Sequence, residues 1–151
     1  MDRDSVDFTL SPADDEEMLL EVLAQVLERL ESHPEIETAF VVHPNVLTDF
    51  YDFNDFLGRS DALLKRMELE GVYQIASFHP QYQFAGTGAD DAENYSNRSP
   101  YPMLHLLREA SVERAIAGHP DIARVPEDNI RTLNRIGKDR LQHLWKNCLN
   151  E

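Results

Sequence analysis

The side chains able to carry chemistry in this sequence crowd into one stretch, from His79 to Glu109. His79 precedes a proline, which holds it extended. Its ring is a proton carrier or a stacking group if free, and a core histidine bonded to loop carbonyls if buried. Tyr82 follows at the same exit. Asn97-Arg98-Ser99-Pro100 reads as a helix start, with Ser99 as N-cap and Pro100 in the first turn. Free amides and the helix dipole make such an end an anion site, and Arg98 adds a bidentate donor for carboxylate or phosphate. Arg108 converges on the same anion if the loop folds back. Asn94 and Asn97 complete the ligand-binding candidates. The competing reading pairs Arg98 with Asp90, Asp91 or Glu93 and makes it a pin for the loop.

His105 and Glu109 are four residues apart, and on a helix they share a face. With His79 and a carboxylate from Asp90 or Asp91 they could form a mixed nitrogen–oxygen metal site. Equally, Glu109 could orient His105 as a general acid or base, or the two could be a structural pair. The two-histidine helix motif of zinc peptidases is absent. Gly86-Thr87-Gly88 resembles a piece of a phosphate loop but lacks its lysine and reads as a bend. There is no Gly-x-Ser-x-Gly elbow. Cys148 falls on the apolar stripe of the last helix and reads as a small core residue. His43 resembles His79 in preceding a proline but has fewer polar neighbours.

These groups need a frame, and the apolar pattern supplies one. Val6-Asp7-Phe8-Thr9-Leu10 alternates as a strand. Acidic residues 14–17 favour a helix start, and Leu19, Leu23, Val26, Leu27 and Leu30 make its buried stripe. His33-Pro34 ends it. Thr38-Ala39-Phe40-Val41-Val42 is a continuous apolar run, the mark of a strand covered on both faces. Asn45 reads as the N-cap of a second helix that carries Phe50, Phe53, Leu57 and Leu64 and closes at Glu70-Gly71. Residues 72–78 form a third strand. The polar stretch 81–97 has no period. A helix opening at Ser99 and ending at Gly118-His119-Pro120, then a last one carrying Ile130 to Cys148, complete the chain.

The expected fold is therefore α/β (or α+β). It has about three mainly parallel strands in β-α-β-α-β order, then a long polar loop and two C-terminal helices, all in a single domain of residues 1–151. The carboxyl edge of such a sheet holds Leu10-Ser11, His43 and His79, and ligands of open α/β sheets bind beyond that edge. The long loop leaves from it, and loops of that length are often functional.

Composition narrows the function classes. Asp and Glu number 28 against 14 Lys and Arg, a net charge of −14, which disfavours nucleic acid and anionic membranes as partners. The single cysteine rules out an internal disulfide and fits a reducing, cytoplasmic setting. No apolar run is long enough for a membrane span, and Met1-Asp2-Arg3-Asp4 does not read as a signal peptide. In that setting Asn94-Tyr95-Ser96 is not a glycosylation site.

The run from Phe78-His79-Pro80-Gln81-Tyr82-Gln83-Phe84-Ala85-Gly86-Thr87, through Asn94, to 97–109 closely resembles the DUF1415 family of bacterial proteins of unknown function. The likeness extends through Leu47-Thr48-Asp49-Phe50 and the acidic first helix. The resemblance also implies an N-terminal segment with a Cys-Pro-Phe motif, which this chain lacks. It implies a family without an assigned activity, and the sequence leaves the cofactor unknown.

The leading expectation is a small-molecule enzyme acting on an anionic, phosphorylated or carboxylated metabolite. Arg98 and Ser99 hold the anion, His79 or His105 moves a proton, and Glu109 orients His105. The alternatives are a non-catalytic metabolite-sensing domain, a protein-interaction module, and a metal-dependent hydrolase using His79, His105 and Glu109. His105 and Glu109 facing away from the loop would favour the sensor. An exposed cluster of Tyr82, Phe84, Tyr95 and Tyr101 would favour the interaction module.

Overall fold

Four strands form one mixed sheet in a computed structural model that describes residues 5–118 and 125–149. β1 (Val6–Leu10) leads into α1 (Glu16–Ser32), β2 (Thr38–Val42), α2 (Phe50–Arg66) and β3 (Tyr73–Phe78). A loop with a 3-10 turn at Ala92–Asn97 follows, then β4 (Met103–Arg108), α3 (Glu109–Gly118), α4 (Val125–Ile136) and α5 (Lys138–Leu149). The mixed α/β class agrees with the sequence reading, and β1 does pair parallel to β2.

The spatial order is β1-β2-β4-β3. β4 slots between β2 and β3 and runs antiparallel to both. This corrects the expected helix from Ser99 to Gly118, whose first half is a loop and a strand and whose second half alone is helical. Apolar residues at 103, 104, 106 and 107 fit one helical face and a two-sided buried strand equally well. Only a strand can satisfy the backbone edges of β2 and β3 at once. The helix that does follow begins at Glu109, so Ser99 caps nothing. The last predicted helix is two, α4 and α5, broken at Gly137, whose φ of +89° suits glycine. The expected stop at His119-Pro120 lies outside the described residues.

Helix starts follow carboxylates. Asp15 accepts from the Met18 amide at 2.8 Å at the start of α1. Asp49, not Asn45, caps α2, accepting from the amides of Tyr51 and Asp52 at 2.9 and 3.1 Å. α2 ends at Arg66, before the expected Glu70-Gly71, and the turn uses Glu68 at φ +60° and Gly71 at φ +80°.

Both α1 and α2 pack on one face of the sheet. Leu19, Leu23, Leu27 and Leu30 of α1 and Phe53 and Phe56 of α2 are buried there. They meet Ala39 and Val41 of β2, Leu104 and Leu106 of β4, and Tyr73 of β3. The alternate positions point the other way: Phe8 and Leu10 of β1, Phe40 and Val42 of β2. On β4 and β3 they are Met103, His105, Leu107, Ala76 and Phe78. None of these joins the core cluster.

At the carboxyl edge of β1, β2 and β3 the chain is stitched across. Ser11 N–H donates to Val42 O at 2.8 Å, His43 N–H to Pro102 O at 3.0 Å, and His79 N–H to Asn97 O at 3.1 Å. The loop leaves this edge at His79 and returns to it at Pro102. α4 packs on the 3-10 turn, and the Lys138 ammonium pairs with Asp90 at 3.0 Å.

Candidate functional site

His43 and His79 sit at this edge, fully buried, each beside the ring of Phe53. His79 uses both nitrogens. Nε2 donates to Leu47 O at 3.0 Å, and Nδ1 accepts from the Gln81 amide at 3.0 Å. Burial lowers its pKa, so the ring is held neutral in one tautomer. It ties α2's leading loop to the start of the 79–102 loop and has no lone pair left for a substrate. His43 Nδ1 donates to Val46 O at 3.1 Å, while its buried Nε2 has no partner among the described residues. Burial pushes its pKa down to about 4.

The loop is built around Asn94, which is fully buried. Its Oδ1 accepts from the Phe84 amide at 2.9 Å and from Thr87 Oγ1 at 3.0 Å, and its Nδ2 donates to Gly88 O at 2.8 Å. Asn97 Nδ2 donates to Ser77 O at 3.0 Å, fastening the loop to β3. The Gly88 amide is held by Asp91 at 2.9 Å. Ser99 Oγ donates to Tyr101 O, and Ser99 O accepts from Trp145 Nε1 at 2.9 Å. Asn94, Asn97 and Ser99 thus shape the loop with their own side chains.

Arg98 behaves differently. Nε donates to Tyr82 O at 3.0 Å and Nη2 to Ala89 O at 2.7 Å, and the guanidinium lies 4.6 Å over the Tyr95 ring. Among the described residues no carboxylate lies within ion-pair distance of it; Asp90 pairs with Lys138 instead. Arg98 lines a groove of about 300 Å³ with Phe50, Tyr51, Pro80, Gln81, Gln83 and Ala89. A second hollow of about 440 Å³ shares Phe50, Tyr51 and Gln83 and adds Asn54, Tyr82 and Phe84. The groove thus runs between the first turn of α2 and residues 80–89. Tyr82 stacks edge-on against Phe84 at 4.9 Å and packs on Phe50 at 5.2 Å.

The remaining candidates lie elsewhere. His105 is mid-strand on the sheet face away from the helices. Its ring stacks on Phe40 at 4.0 Å, and Nε2 donates to Thr38 Oγ1, 2.6 Å away, which in turn donates to Leu106 O. Burial lowers its pKa. Glu109 starts α3 and accepts from Gln74 Nε2 at 2.9 Å, not from His105. In a strand, residues four apart are about 13 Å apart, so the expected His105–Glu109 pair does not form. Nor do His79, His105 and Glu109 converge. Among the described residues no three His, Cys, Asp or Glu side chains are grouped to hold a metal ion. Arg108 does not reach the loop. It donates to Leu30 O at 2.6 Å, Ile36 O at 2.8 Å and Tyr73 Oη at 3.1 Å, closing the C-terminal end of α1. Cys148 is exposed, against the core position expected for it.

The model of one protein family, described as proteins of unknown function (DUF1415), matches residues 1–143. The chain belongs to the DUF1415 family. No curated protein and no solved structure matches it. No helix among the described residues of this DUF1415 chain is long and apolar enough to cross a membrane. Of the residues lining the two hollows, the sequence reading named Arg98 and Tyr82 as candidates. It missed Phe50, Tyr51, Gln81 and Gln83. The available signal was Asp49 as the helix cap, which puts Phe50 and Tyr51 in the first turn beside the sheet edge.

Proposed function

We propose that this DUF1415 domain is a non-catalytic binding domain for a small anionic molecule with a flat apolar part. The groove between α2 and residues 80–98 receives it. Arg98 takes the carboxylate or phosphate, the side-chain carboxamides of Gln81 and Gln83 bond its polar rim, and Phe50 and Tyr51 cover its flat part. One observation carries this reading. The groove has a guanidinium without a carboxylate partner among the described residues, in a chain of net charge −14, and no Asp, Glu or His in its lining. A site without a group that titrates near neutrality is suited to binding and poorly suited to acid–base catalysis. Its volume falls in the range of small-molecule sites.

The test is calorimetric titration of inorganic phosphate, citrate and an aromatic carboxylate such as benzoate into the wild-type chain and Arg98→Gln. The expected result is binding tightest for a probe that has both an anion and a ring, weakened at least about tenfold by Arg98→Gln, a charge-assisted bond being worth roughly 1.5–3 kcal/mol. Equal binding by the two proteins contradicts the reading. His105→Ala leaves binding unchanged.

A further inference from the structure

We propose that the sheet face left uncovered by α1 and α2 is the contact surface between two copies of this chain. The face has three outward positions on each of its four strands, and none carries Asp, Glu, Lys or Arg. In a chain with 28% charged residues, about three of those twelve would be charged by composition alone. A solvated sheet face normally alternates to polar side chains. This one instead carries an aromatic ladder: Phe8 stacks on Phe40 at 5.2 Å, Phe40 on His105 at 4.0 Å, and Phe78 approaches His105 at 6.3 Å. At the β1 side, Phe8 is 68% and Leu10 73% exposed. β2 has the sequence of a strand covered on both sides, yet α1 and α2 cover only one.

The occupant follows from charge and area. A net charge of −14 makes most of this molecule's surface repel its own copy. The uncharged face is the region where two copies can meet without apposing like charges, and a two-fold contact needs only self-complementarity. Sheets pack face to face about 10 Å apart with strands within about 30° of aligned. Four strands about 4.8 Å apart and five residues long give a face on the order of 300 Å² in projection. With side-chain relief, two such faces bury about 1,000 Å², the lower bound of a specific interface. A face with no charged side chain at any of its twelve outward positions offers little to specify a different partner.

Sedimentation equilibrium of the full chain across the micromolar range tests this, with Phe8→Glu and Leu10→Glu made separately. Both side chains are exposed, so unfolding midpoints measured at concentrations below the wild-type dissociation constant, where dimerisation adds no stability, stay at the wild-type value and confirm intact folds. The expected result is a wild-type dimer whose dissociation constant falls as salt screens the repulsion between the two acidic chains. Either glutamate weakens it by at least about tenfold, since dimerisation then buries unpaired carboxylates. A wild-type chain that stays monomeric overturns the proposal. So does a dimer indifferent to both substitutions, because it is built elsewhere. Neither substitution touches the Arg98 groove, so this result and the groove titration fail independently.

Discussion

Asn94, fully buried, holds three residues of the loop with one side chain, and its loss takes their partner from the Phe84 amide, the Thr87 hydroxyl and the Gly88 carbonyl. Asn94→Ala therefore costs about 2–3 kcal/mol by urea denaturation. The same burial closes Asn94 to any modifying enzyme. His43 makes a second prediction. Its folded pKa is lowered to about 4 from the usual 6.5, because burial penalises the charged ring. The neutral form is therefore the native one. The unfolded chain takes up a proton as pH falls below 6.5, the folded one only near 4, so stability is present above 6.5 and is lost between those values. Going from about pH 7 to about pH 5 removes roughly 2 kcal/mol through His43. His79 and His105, also lowered by burial, act in the same direction. Denaturation at the two pH values checks the sum. An NMR titration checks the assignment, since the His43 ring stays neutral at about pH 5 while an exposed histidine is charged.

At the scale of elements, Arg108 is the clearest case of a residue whose role depends on the element that carries it. On a helix next to the loop it reads as an anion ligand. At the end of β4 it reaches the C-terminal carbonyls of α1, where a cation also meets the helix dipole. Arg108→Ala should cost about 2–3 kcal/mol in chemical denaturation and leave benzoate binding at the wild-type level. β1, β2, β3 and the two long helices were legible as elements because each carries its own apolar pattern and its own stops, such as His33-Pro34 and His43-Pro44. β4 was not. Six residues with apolar pairs at 103–104 and 106–107 satisfy both periods, and the pairing that decides between them lies some 65 residues back, at Thr38 and Phe40. That one change removed the Ser99 cap, moved His105 to the open face and sent Glu109 to the far end of the sheet. The loop itself was readable from its position after His79. Its inner hydrogen bonding was not, because Asn94 and Asn97 look identical in sequence whether they bind a ligand or a carbonyl.

For the whole molecule, the fold separates two surfaces. One edge carries the Arg98 groove, braced by α5 through Lys138–Asp90 and Trp145–Ser99. The sheet face away from α1 and α2 carries the uncharged ladder. The His105–Glu109 pair expected from the sequence forms on neither, His105 bonding Thr38 and Glu109 bonding Gln74. The most direct test of the central claim, that the groove and not a His–Glu pair is the working site, is a chemical-shift titration of the 15N-labelled chain with benzoate. The account predicts shifts concentrated at the Arg98 Nε–H and the amides of Gln81, Gln83 and Tyr51, with His105 and Glu109 unmoved. Shifts centred on His105 and Glu109, or an Arg98 Nε–H that does not respond, would contradict it.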